Sequence, residues 1–140
     1  MMHFLVPVDG SENSERALCF VISLCEHCGP IGIKLLHVEA RPGIVDTAAG
    51  KADAATRGVD TAPAALAAAE RLLDHAGIKY LSEVRQDRGY MPGAIADYAR
   101  ETGCAAIVMG TRGLGSTGDV LGSIARQVVA HAGVPVTLVK

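Results

Sequence analysis

The chain has 140 residues, 49% of them apolar and only 4% aromatic, with 13 Lys and Arg against 15 Asp and Glu for a net charge of −2. That length suits a single domain spanning 1–140 with one well-buried core, and a charge balance without a Lys/Arg cluster argues against nucleic-acid binding. No run approaches the apolar length of a membrane span, and no charged segment precedes an apolar signal core; a cytoplasmic protein is expected, its 4 cysteines held as thiols rather than as a disulfide framework.

Phe4-Leu5-Val6-Pro7-Val8 is an apolar run that ends at Asp9-Gly10-Ser11, so a strand feeds directly into a turn. Pro7 has no N–H for a ladder and belongs at the strand's end. Ser11 or Asn13 can cap the next helix, with Glu12 and Glu15 well placed in its first turn. Ala17, Leu18, Val21, Ile22 and Cys25 form its apolar stripe, and Gly29-Pro30 stops it. Ile31 to Val38 reads as a second buried strand. From Glu39 to about Thr61 periodicity is lost, and a long loop is expected, with a helical turn near Ala48–Ala55.

Pro63 opens a second helix through Leu66, Ala69, Leu72 and Leu73, ended by Gly77. Tyr80-Leu81-Ser82-Glu83-Val84 alternates and reads as a less buried strand, broken by Gly89. Pro92 opens a third helix that turns Ile95, Tyr98 and Ala99 inward and stops at Gly103. Ala105-Ala106-Ile107-Val108 suits a strand buried on both faces. A fourth helix follows through Ile124, Val128 and Val129, and Val134–Val139 closes the chain as a strand.

Strands alternating with helices predict an α/β fold: a three-layer, doubly wound, five-stranded parallel sheet with right-handed crossovers. In such sheets ligands sit beyond the carboxyl ends of the strands, so Asp9, Val38 and Gly110 are expected to converge on one crevice.

Between the fourth strand and the last helix lies Met109-Gly110-Thr111-Arg112-Gly113-Leu114-Gly115-Ser116-Thr117-Gly118-Asp119-Val120-Leu121-Gly122-Ser123. Glycines let backbone N–H groups approach an anion, and a helix N-terminus adds a favourable dipole; this stretch reads as a phosphate cradle. Gly113-x-Gly115-x-x-Gly118 is not a dinucleotide fingerprint, because the ribose-holding acid due about 20 residues on is replaced by Leu138. Nor is it the loop of P-loop NTPases, which needs a Gly-Lys-Ser/Thr ending.

Other constellations carry less. Cys25-Glu26-His27-Cys28 sits at the C-terminal end of the first helix, where the dipole disfavours a thiolate, and no second spaced pair completes a metal site. His37, inside a strand, reads as a hydrogen-bonded core histidine. No Gly-x-Ser-x-Gly elbow or pair of poised carboxylates is present, so nothing requires catalysis.

Several separated motifs, in order, resemble those of the universal stress protein (UspA-like) family. They are Val6-Pro7-Val8-Asp9-Gly10-Ser11, Ser14-Glu15-Arg16-Ala17-Leu18, Leu36-His37-Val38, Met109-Gly110-Thr111-Arg112-Gly113, Gly122-Ser123 and Val134-Pro135-Val136. The resemblance implies an adenine-nucleotide α-hydrolase-like fold and a homodimer, with Val134–Val139 at the dimer edge. It implies that Pro7, Val8, Asp9 and Val38 hold adenine and ribose, and that Met109, Gly110, Arg112, Gly113, Gly122, Ser123 and Ile124 hold ribose and phosphates. The implied ligand is ATP (or AMP/ADP), with Mg or Mn held mainly by phosphates, in a stress-response regulator with at most slow ATP hydrolysis. On their own chemistry, Asp9 suits a ribose hydroxyl or a turn, Arg112 a phosphate or solvent, and Ser123 a phosphate together with the helix cap. One departure stands out: eight residues separate Gly113 from Gly122, one fewer than the family's nucleotide-binding pattern usually has. The alternative reading is therefore a non-nucleotide-binding dimeric interaction module of the same fold.

Overall fold

The computed structural model describes residues 1–40, 64–87, 90–112 and 121–140. The expected turn at Ala48–Ala55, the opening Pro63, the breaking Gly89 and the glycines at 113, 115 and 118 lie outside them.

In chain order the elements are β1 (His3–Pro7), α1 (Glu12–Cys28), β2 (Gly32–Ala40), α2 (residues 64–76), β3 (Tyr80–Asp87), α3 (Met91–Glu101), β4 (Ala106–Gly110), α4 (Ser123–His131) and β5 (Val136–Val139). β1 ends on Pro7, where a missing amide does least harm to the ladder. Ser11 caps α1, its Oγ accepting from the Ser14 amide at 3.2 Å, and Glu12 and Glu15 face the positive end of the helix dipole. α2 closes at Gly77, whose φ of +70° lets the Gly77 amide reach Asp74 O and the Ile78 amide reach Leu73 O.

The five strands pair in the order β3-β2-β1-β4-β5, every neighbouring pair parallel. β1 is central: Leu5 stands opposite Lys34 on one side and Ile107 on the other. Alternation along the strands divides the core between the two faces. On one face Leu5, Leu36, Ile107 and Met109 pack with Ile95, Tyr98 and Ala99 of α3 and with Ala125 and Val128 of α4. On the other, Val6, Val8, Ile33, Leu35 and Val108 pack with Ala17, Leu18 and Val21 of α1 and with Leu66, Ala69 and Leu73 of α2. The expected three-layer α/β arrangement is the observed one.

The structure departs from the sequence expectation at several places. β2 and β3 run on to Ala40 and Asp87, past the expected loop start at Glu39 and the expected strand end at Val84, because their register continues to Ala40 opposite Asp87. Pairing to a long neighbour extends a strand past its own alternation. As an edge β3 stays weakly covered, with Leu81 62% exposed. β5 begins at Val136 rather than Val134. Val129, counted in the stripe of α4, is 49% exposed. Val128 is buried as the stripe predicts, and Ala125, one turn before it, is buried with it.

Tyr98 ties α3 to the edge strand. Its ring is buried, and the Arg85 guanidinium lies 4.7 Å from the ring centroid, itself paired with Glu83 at 3.2 Å and Glu101 at 2.8 Å. Burial, reinforced by hydrogen bonding to Glu83, pushes the Tyr98 phenol up to about 12. A folded-state pKa above the ordinary value near 10 means that this stabilisation is complete below about pH 10 and is lost as pH rises through about 12. In an absorbance titration at alkaline pH, the last tyrosinate to appear is expected to be that of Tyr98. Tyr98→Phe should remove that phase and flatten the fall of melting temperature above pH 10; an unchanged profile would place the titration elsewhere.

Candidate functional site

The strand order makes a crevice. β1 hands the chain to α1 on one face of the sheet, whereas its neighbour β4 hands it to α4 on the other. Connections that diverge from adjacent parallel strands leave an opening beyond their carboxyl ends. A cleft lies there. Pro7, Val8, Leu36, Val38, Met109 and Gly110 form its floor. Met91 and Ile95 from α3, with Ile124 and Ala125 from α4, form an apolar wall. Asp9, Ser14 and Arg112 supply the polar side chains. An apolar slot with a few convergent polar groups, two of them of opposite charge, suits a ligand with a flat apolar part and an ionic part.

The β1 exit is tightly held. The Val8 amide donates to Leu36 O at 2.8 Å, and Val8 O accepts from Nδ1 of the buried His37 at 2.7 Å. His37 is thus the hydrogen-bonded core histidine expected. Asp9 Oδ1 accepts from the Ser11 amide at 2.8 Å, an Asx turn that aims the chain into α1. Ser14 Oγ donates to Ser11 O at 3.0 Å, which fixes its position on the cleft wall.

Two glycines hold the other side. A Cβ on Gly110 would lie 2.7 Å from Asn13 Cβ and 2.8 Å from the Asn13 carbonyl carbon, so the first turn of α1 lies directly on the end of β4. The Gly122 amide donates to Thr111 O at 2.7 Å, and a Cβ there would lie 3.1 Å from the same oxygen. This bond joins the residues flanking 113–120.

Of the residues that the family resemblance points to, Pro7, Val8, Asp9, Val38, Met109, Gly110, Arg112 and Ile124 border the cleft. Gly113 lies outside the described residues. Gly122 and Ser123 are not among the lining residues. The expectation that Ser123 caps α4 is corrected: the N-cap is Gly122, and Ser123 is the first helical residue, with no side-chain capping bond. The bond to Thr111 places an extended Gly122 at the half-turn position and carries Ser123 into the helix.

Sequence reasoning passed over Ser14, Leu36, Met91, Ile95 and Ala125 as cleft residues. Signals existed for two: Leu36 shares a strand face with Val38, and Ser14 opens the Ser-x-x-Ala-Leu motif. Ile95 reads only as helix core, and no signal in the sequence marks Met91 or Ala125.

The cysteine pair stands where expected, at the C-terminal end of α1. Burial pushes the Cys25 thiol up, and its Sγ lies 3.9 Å from Ile31 O. A raised pKa is the reverse of an activated thiol. Among the described residues no three His, Cys, Asp or Glu side chains are grouped as a metal site requires, and no helix is long and apolar enough to cross a membrane.

A family model described as the universal stress protein family matches residues 1–140. Solved structures share the fold over nearly the whole chain. The universal stress protein UspA from Lactobacillus plantarum is 23% identical with a TM-score of 0.81, covering 99% of this chain and 97% of that one. The universal stress protein from Archaeoglobus fulgidus in complex with dAMP is 26% identical with a TM-score of 0.70, covering 100% and 98%. A universal stress protein family protein from Arabidopsis thaliana with AMP bound is 17% identical with a TM-score of 0.73, covering 100% and 92%. No curated protein matches the chain.

Proposed function

The chain belongs to the universal stress protein family, and on that footing we propose that it binds an adenine nucleotide in the cleft beyond β1, β2 and β4. The observation that carries the reading is the gathering of Pro7, Val8, Asp9, Val38, Met109, Gly110, Arg112 and Ile124 around one opening at the switch point of the sheet. A purine has apolar faces to lay against Leu36, Val38, Ile95 and Met109, while Asp9 accepts from ribose hydroxyls and Arg112 meets phosphate. The relatives bound to dAMP and AMP support this ligand class. ATP, ADP and AMP all fit the proposal, with any Mg²⁺ or Mn²⁺ carried by the phosphates. The role is regulatory, in a cytoplasmic stress response, with at most slow hydrolysis.

Isothermal titration with AMP and with ATP plus Mg²⁺ is expected to give saturable heat below millimolar ligand. Folded protein that gives none with either nucleotide would reject the reading. A second reading, a dimeric interaction module that takes no nucleotide, draws on the short spacing between Gly113 and Gly122. Gly122→Val separates the two in cells: loss of the phenotype together with binding favours the nucleotide, survival of the phenotype favours the module.

We also propose a homodimer through Val134–Val139. β5 is an edge strand, and the half-buried Val134, Val136 and Leu138 pack against the core of the α3/α4 face at that edge. An apolar edge invites pairing with its own copy about a two-fold axis. Sedimentation at micromolar concentration should give twice the mass of one chain, and a monomer there would count against the interface.

A further inference from the structure

His37 belongs to β2 but serves the end of β1. Along β2, Ile33 and Leu35 face α1 and α2, while Leu36 and Val38 face α3, α4 and the cleft. By alternation His37 leaves the sheet on the side away from the cleft. From there its imidazole reaches the carbonyl of Val8, and the Val8–Asp9 peptide is where β1 bends into the cleft. The Val8 amide already donates to Leu36 O. In a parallel ladder carried one rung further, the Val8 carbonyl would accept from the Val38 amide. β1 has ended at Pro7, and it is the His37 side chain that meets this carbonyl.

We propose that His37 is a positioning residue for the ligand cleft: by donating from Nδ1 to Val8 O it closes the β1–β2 ladder and fixes the peptide that carries Asp9. A carbonyl oxygen only accepts, so Nδ1 bears the proton. Val8 is held through both its amide and its carbonyl, so the two consecutive peptides that meet at it are fixed, and the Asx turn in which Asp9 Oδ1 accepts from the Ser11 amide follows directly. Removing the imidazole frees a buried carbonyl and the hinge of that turn at once. This inference rests on the nucleotide reading above for its functional consequence, but its structural content can be read without ligand.

The test compares wild type, His37→Asn and His37→Leu. The Asn side-chain nitrogen stands close to the place of Nδ1 and can donate, whereas Leu fills similar space without a donor. AMP affinity by calorimetry should fall about tenfold in H37L and stay within about threefold in H37N, the range set by one hydrogen bond. A folded H37L that binds as wild type does, or an H37N as weak as H37L, overturns the proposal. Without ligand, the Ser11 amide should lose hydrogen-exchange protection in H37L and keep it in H37N, and the nitrogen spectrum of wild-type His37 should show protonated Nδ1. An imidazole protonated only at Nε2 overturns the proposal even if H37L fails to fold. If wild type takes no AMP while these ligand-free signatures hold, the nucleotide reading has failed and the positioning role has not.

Discussion

Gly110→Ala is expected to weaken AMP binding at least tenfold and to destabilise the fold by about 2 kcal/mol, as overpacking does where nothing flexible can give way. The added methyl would meet the Cβ, carbonyl carbon and carbonyl oxygen of Asn13 at 2.7, 2.8 and 2.9 Å. Two of these are backbone atoms of α1, so relief comes only by lifting the first turn of the helix off β4. That turn carries Ser14, which lines the cleft, and it is tied through Ser11 to Asp9. The requirement at Gly110 is therefore one of helix docking, felt at the cleft even where the ligand never touches the new methyl. Gly133→Ala is the control, since a Cβ there meets nothing within 4 Å. Calorimetry and thermal melts on both variants decide the matter; equal affinities and equal melting temperatures would show that α1 yields at no cost.

Leu5→Ala should be the most damaging single truncation in the core. Leu5 is fully buried in the central strand and belongs to the cluster shared with Leu36, Ile95, Ile107 and Val128. Strands on both sides prevent collapse around the vacated space, so a loss of about 3 kcal/mol is expected. For a chain of this length that lowers the melting temperature by roughly 10 °C. Leu81→Ser, at a side chain 62% exposed on the edge strand, should cost within about 0.5 kcal/mol. Similar melting temperatures for the two variants would contradict the assigned core.

How far the sequence could be read differs between scaffold and cleft, for a physical reason. Uninterrupted apolar runs such as Phe4–Val8, period-3.6 stripes such as Ala17-Leu18-Val21, and stops at Gly29, Gly77 and Gly103 are local signals, and together they imply the doubly wound sheet. The crevice between β1 and β4 follows from that topology, so Asp9, Val38 and Gly110 were foreseeable neighbours. Met91, Ile95 and Ala125 were not. A helix side chain that faces the sheet looks the same in sequence whether it packs on another side chain or borders an opening. Ser123 shows a second limit. Serine before an apolar stripe is a sound capping signal, but here the distant bond between the Gly122 amide and Thr111 O decides where α4 begins.

That same bond has a practical meaning for protein engineering. It ties the exit of β4 to the start of α4 at one fixed separation. A pair of reporter groups set on these two elements would therefore share a rigid reference, against which movement elsewhere at the crevice can be read.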